Sequence, residues 1–199
     1  MRLASSLLVI LVAAACSSQA PTAQPPDSEE PVRELEANGA PLDPGAYTRS
    51  GFEPRIAFEV GIGWEAVQQA DGFFDIQREV GSPDVIAVQF VRPTQLEDAA
   101  SAVEAMNRAE GLTVIESSES LIGGREGLQV TVANESAAHA TVFDVPPGAL
   151  GIDPGRRLWI AFFDTDDGLL AIMVGGSTAR WQDALDAAEP VLETVTIGP

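Results

Sequence analysis

The chain has no lysine, and only one histidine, one tyrosine and one cysteine among its 199 residues. Positive charge is correspondingly scarce. Eleven arginines face 30 acidic residues, for a formal net charge of −19. A surface of that sign repels polyphosphates and anionic head groups, so neither nucleic acid nor direct adsorption to a lipid surface is expected. A single cysteine allows no disulfide within the chain. Apolar runs long enough to span a bilayer are also missing: the N-terminal run over 7–16 is ten residues and those over 158–163 and 169–174 are six each, where a spanning helix needs about 20. Nucleophilic catalysis needs a base beside its nucleophile, and the lone His139 sits in a polar stretch with no Gly-x-Ser-x-Gly elbow anywhere in the chain. The default reading of His139 is therefore a loop or edge-strand residue. The acidic, lysine-free composition reflects a GC-rich genome, a salty habitat or both.

What is present begins at the N-terminus. Arg2 makes a short positive region, residues 7–12 form an unbroken apolar run, and Ala13, Ala14 and Ala15 are the small residues that precede a cleavage site. Residues 1–15 thus read as a secretory signal peptide. The sole cysteine, Cys16, follows at once. Ala13-Ala14-Ala15-Cys16 resembles the bacterial lipobox, with Ala13 where that motif usually has Leu. The resemblance implies that the Cys16 thiol carries a diacyl (palmitate-type) anchor. It also implies a lipid-anchored location on the extracytoplasmic face of the cell membrane, with the membrane a partner through the anchor only. Residues 16–45 read as a disordered tether, since six prolines and no aromatic leave too little apolar area to offset ordering entropy. Residues 46–199 read as a single domain.

That domain is centred on residues 156–176. Two apolar runs flank Asp164-Thr165-Asp166-Asp167-Gly168, a hairpin signal in which Gly supplies the positive φ. Leu158, Ile160 and Phe162 alternate with Trp159, Ala161 and Phe163, so both faces are apolar and the hairpin belongs in the middle of a sheet covered on both sides. Further strands are expected over 56–60, 64–68, 73–80, 85–91, 113–120, 127–133, 141–145 and 195–197. Residues 146–155, rich in Pro and Gly, read as a loop. A helix is expected over 94–110, with Thr94 and Glu97 as a capping box and Leu96, Ala99, Ala100, Val103 and Met106 on its buried face. A second starts near Ala179, with Trp181, Leu185, Ala188 and Leu192 on one stripe and Pro190 kinking or ending it. The fold class is α+β, an antiparallel sheet with two main helices covering one face.

The Gly63-Trp64 turn, the capped helix, the Gly123-Gly124-Arg125 loop and the long hairpin before a terminal helix give a pattern that resembles the PsbP and Mog1 group of α+β sandwiches. Pro44-Gly45-Ala46-Tyr47 and Phe52-Glu53-Pro54 are similar to the opening of secreted domains from GC-rich Gram-positive bacteria. The resemblance spans about residues 44–197. It implies a non-enzymatic accessory or binding role and assigns no functional residue.

Other constellations are weak. Asp164, Asp166 and Asp167 supply hard oxygen ligands, but the third Asp comes one residue early for an EF-hand loop and Gly175 stands where its Glu should be. A solvated hairpin tip is the expectation, with no metal. Gly61-x-Gly63 lacks the third glycine of a dinucleotide loop, and no cofactor is expected. Asn134-Glu135-Ser136 fits a glycosylation sequon of little meaning in a bacterial protein. Trp64, Trp159 and Trp181 read as core residues, with Trp64 a ligand platform if exposed. Two functions follow. One is a non-catalytic, surface-tethered lipoprotein that binds a protein or small ligand of the cell envelope, marked by a shallow apolar groove. The other is a carboxylate-dependent hydrolase acting on cell-wall glycan, marked by two carboxylates about 5–10 Å apart in a cleft.

Overall fold

A computed structural model describes residues 31–36, 39–146 and 148–198. The signal peptide, Cys16 and the tether up to residue 30 lie outside the described residues. In chain order come β1 (Arg33–Glu34), β2 (Ala40–Pro41), β3 (Gly45–Thr48), β4 (Ile56–Val60), β5 (Glu65–Ala70), β6 (Phe73–Arg78) and β7 (Ile86–Val91). Helix α1 (Ala99–Arg108) precedes β8 (Leu112–Ile122), β9 (Arg125–Asn134), β10 (Ala140–Val145), β11 (Gly148–Ile152), β12 (Arg156–Thr165) and β13 (Gly168–Ser177). A 3-10 turn leads into α2 (Trp181–Thr194), and β14 (Thr196–Ile197) ends the domain.

Eight strands form the main sheet in the order β2-β5-β6-β7-β13-β12-β9-β8. The β12–β13 hairpin lies inside it, as its two-faced apolar pattern requires. Asp166 and Asp167 form the turn between the paired Thr165 and Gly168. One face of the hairpin, with Leu158, Ile160 and Phe162, packs under α1 and the β10–β11 pair. The other face, with Ala161, Phe163, Leu170 and Ile172, packs under a second sheet of order β1-β3-β4-β14 and under α2. Phe58, Phe74 and Phe90 stack between the two sheets, Phe74 and Phe90 at 4.6 Å.

The two helices therefore lie on opposite faces of the sheet, which corrects the expectation that both cover one. The domain is sheet-dominated, and ten residues that read as tether or loop pair as strands: Arg33, Glu34, Ala40, Pro41, Gly45 and residues 148–152. Residues 31–36 and 39–45 are not free spacer. Strand β1 runs parallel to β3, Leu35 is 2% exposed within the core, and Gly39 and Leu42 donate to the Ala66 and Trp64 carbonyls. One apolar side chain, Leu35, meets a waiting pocket and holds a stretch whose average composition is that of a coil. Likewise residues 148–152, read as loop, pair with β10.

Helix α1 begins five residues later than the Thr94–Glu97 signal suggests. The Thr94 N–H goes to the Asp144 carbonyl, which ties Thr94 to β10. Asp98 makes the capping box instead, its carboxylate accepting the Ser101 N–H at 2.7 Å while the Ser101 hydroxyl accepts the Asp98 N–H. The buried face carries Ala99, Ala102 and Met106, and Ala100 is exposed. Pro190 does not end α2, which continues to Thr194. The carbonyl it orphans belongs to Asp186, on the exposed side of the helix.

Candidate functional site

Position α2 first, because it makes one wall of the principal groove. Ala184, Ala188 and Val191 are its buried residues, small enough to bring the helix close to the sheet. Gly176 on β13 completes that approach, since a Cβ there would sit 2.5 Å from the Ala184 Cβ. The helix start is held by Arg180, whose guanidinium reaches Asp183 at 2.8 Å and Glu79 at 3.0 Å. Leu185 and Leu192, expected to face the core, lie partly buried at its margin.

Between this wall and the β12-β9-β8 end of the sheet lies a groove of about 470 Å³. Trp159, Ile122, Leu185 and Leu192 make it apolar, and Asp186, Glu189, Glu193 and Glu119 rim it. Leu121 stands at its edge, 69% exposed. The α2 residues lining it, Gln182, Leu185, Asp186, Glu189, Leu192 and Glu193, recur at three- and four-residue spacing, which marks one face of a helix. The sequence reading gave the neighbouring stripe of Trp181, Leu185, Ala188 and Leu192; Leu185 and Leu192 both pack against the core and line the groove.

A second hollow, of about 770 Å³, opens across β8 beside the start of α1. Asp98, Glu119, Glu126 and Asp164 line it. Two of these carboxylates have structural partners. Asp164 accepts the Ala99 N–H at 2.9 Å, capping the helix from a neighbouring strand. The Ser101 N–H, followed by the Ser101 hydroxyl, holds the Asp98 carboxyl below its ordinary range. No Lys, Arg or His lines either hollow.

A third hollow, of about 400 Å³, lies between the β5 bulge and the β10–β11 pair, lined by Gln68, Gln69, Phe73 and Leu150 among others. Gln68 also donates its backbone N–H to Asp75 at 2.7 Å, and Gln77 donates to the second Asp75 oxygen at 2.6 Å. Asp75 is 1% exposed, and burial raises its pKa, with these hydrogen bonds opposing the rise. Its partners are amides, not a second carboxylate.

The remaining candidates separate. Asp164 caps α1 while Asp166 and Asp167 stay at the exposed turn, and among the described residues no three His, Cys, Asp or Glu side chains gather as a metal site. His139 Nδ1 lies 2.9 Å from Asp153, both side chains exposed. Asn134 of the sequon is buried, its Nδ2 donating to the Ala138 and Ile152 carbonyls at 2.8 Å each, so that amide organises the β9–β10 turn. Trp64 is 2% exposed and is no platform; Trp159 is the indole that lines a groove. The sequence reading missed β8 as an edge. Its signal was the run Glu116-Ser117-Ser118-Glu119-Ser120, polar on both faces, as a strand at the end of a sheet can be. No helix of the described residues is long and apolar enough to cross a membrane.

No protein-family model matches this chain, and no curated protein matches it. Among solved structures the chain is similar to the cyanobacterial PsbP protein CyanoP from a Synechocystis species, with 10% identity, 81% of this chain and 97% of that chain covered, and a TM-score of 0.48. It is also similar to LpqN of Mycobacterium tuberculosis, described as involved in cell envelope biogenesis, with 11% identity, coverage of 84% and 89%, and a TM-score of 0.43. Each is a likeness of chain path, and neither protein's role transfers with it.

Proposed function

We propose that this chain is a non-catalytic binding module of the cell envelope, tethered by lipid on Cys16 to the extracytoplasmic face of the membrane. The groove beside α2 is its binding surface. One observation carries the reading: an apolar hollow floored by Trp159, Ile122, Leu185 and Leu192 and rimmed by carboxylates. Exposed apolar surface rimmed by polar residues is what a docking site looks like before its partner arrives. The location rests on the signal peptide and on the position of the sole cysteine.

The second reading, a carboxylate-dependent hydrolase acting on cell-wall glycan, draws on the acidic recess beside α1. Such chemistry needs one carboxyl kept protonated as the general acid. In that recess the hydrogen bonds from Ser101 shift the Asp98 carboxyl the other way.

The test uses the full chain solubilised from membranes with its anchor intact. Wild type should retain an envelope component that Gln129→Arg, on the groove side of β9, loses while keeping its fold, and Cys16→Ser should lose lipid labelling. Retention indifferent to Gln129→Arg would overturn the groove as binding surface. Release of sugar from cell wall, abolished by Glu119→Gln or Glu126→Gln, would replace the binding reading with the hydrolase.

A further inference from the structure

Strand β8 ends the eight-stranded sheet, and among the described residues its outer edge has no strand partner. Its only register shift lies between Val114 and Glu116. Residues 116–122 beyond it form a regular edge, with main-chain donors and acceptors open to an incoming strand.

What flanks this edge sets it apart. Glu119, Ser120 and Leu121 line both the apolar groove on the α2 side and the acidic recess on the α1 side. Successive side chains of a β-strand point to opposite faces of the sheet. A segment pairing with β8 would therefore present alternate side chains to two different environments. One set meets Trp159, Leu185 and Leu192. The other meets Asp98, Glu126 and Asp164. The floor of the first environment favours apolar residues, while its rim of Asp186, Glu189 and Glu193 and the second environment both favour cations. The nearby Arg125 is bonded to the Asp164 carbonyl and does not line the recess.

We propose that β8 takes up, by strand addition, an extended segment of a basic partner protein in which apolar and cationic residues alternate. This rests on the reading of the groove as the binding surface and adds the chemistry of its occupant. Charge selects that occupant over a second copy of the chain. Two copies joined at β8 would bring acidic rims together on a molecule of net charge −19, and like charges facing across an interface oppose it.

The test compares three synthetic peptides of about eight residues, an ordinary strand length, against the full chain in detergent. One alternates Val and Lys, one has the same composition in two blocks, and one alternates Val and Glu. Trp159 emission and hydrogen exchange at the β8 amides are followed together. The alternating Val/Lys peptide should shift the emission and slow exchange over residues 116–122. Its affinity should fall about tenfold or more in the Glu119→Arg/Glu189→Arg variant, and fall again as salt shortens the screening length from about 10 Å to about 3 Å. Equal binding of the block peptide without amide protection would overturn strand addition. Equal binding of the Val/Glu peptide would overturn the charge selection. Either of these, with Trp159 still responding, leaves the groove standing as a binding surface; no response to any peptide overturns the groove as well. Protection of the same amides without peptide would show that the edge is already taken and would overturn the proposal. Concentration dependence would then identify a second copy as the occupant, and its absence would identify a segment of the same chain.

Discussion

The centre of the main sheet and its β8 edge are built on opposite rules. At the centre, β12 and β13 bury nearly every residue from Leu158 to Phe163 and from Leu169 to Gly176, apolar on both faces and covered on both sides. At the edge, β8 exposes residues 115–119 in unbroken succession and has hollows on both sides. The centre obtains stability from contacts it shares with two layers. The edge adds Ile122 to one core cluster and packs Leu112 and Val114 against the other, while residues 115–119 and the neighbouring apolar surface stay open. On the binding reading proposed above, stability and recognition fall mainly to different strands.

Substitutions along that axis sharpen the contrast. The largest effect should come from Ile160→Ala, which empties a fully buried position between β9 and β13. Its expected cost is about 2–5 kcal/mol by urea unfolding, a large share of the roughly 5–15 kcal/mol a domain possesses. A cost under about 1 kcal/mol would mean that this face is not packed as described.

Gly176→Ala should cost less, about 1–3 kcal/mol, the usual range for inserting a methyl into a filled space. Here the methyl meets the Ala184 Cβ and must push α2 outward. Because α2 is also a wall of the groove, the same variant should change Trp159 emission. A loss of stability with unchanged emission would separate the helix seat from the groove.

The smallest effect should come from Leu121→Arg. At 69% exposure it leaves solvent on one side of the side chain already, and surface substitutions of this kind usually stay within about 0.5 kcal/mol. A cost comparable to Ile160→Ala would place Leu121 in the core and abolish the comparison.

Much of the centre was legible from local pattern. Alternation of Leu158, Ile160 and Phe162 with Trp159, Ala161 and Phe163 states that both faces are covered, and Asp-Gly before a second apolar run states where the chain turns. These signals are short-range, so neighbouring residues suffice to carry them. The groove was half legible. The Trp181, Leu185, Ala188 and Leu192 stripe is helical in the sequence, but a helix with apolar residues on adjoining faces offers more than one way to dock.

The sequence by itself determined the strand-rich α+β character, the central hairpin and its turn, and the presence of two helices, because propensity, alternation and turn chemistry act within a few residues. Only the tertiary structure decided which face each helix covers. It placed α1 at Asp98 by tying Thr94 to Asp144 and by sending the Asp164 carboxylate across from β12. It drew residues 31–36 and 39–45 onto the sheets through Leu35, and it left β8 at the end of the sheet between an apolar and an acidic hollow. Each of these depends on residues far apart in the chain meeting in space, and no local periodicity encodes such a meeting.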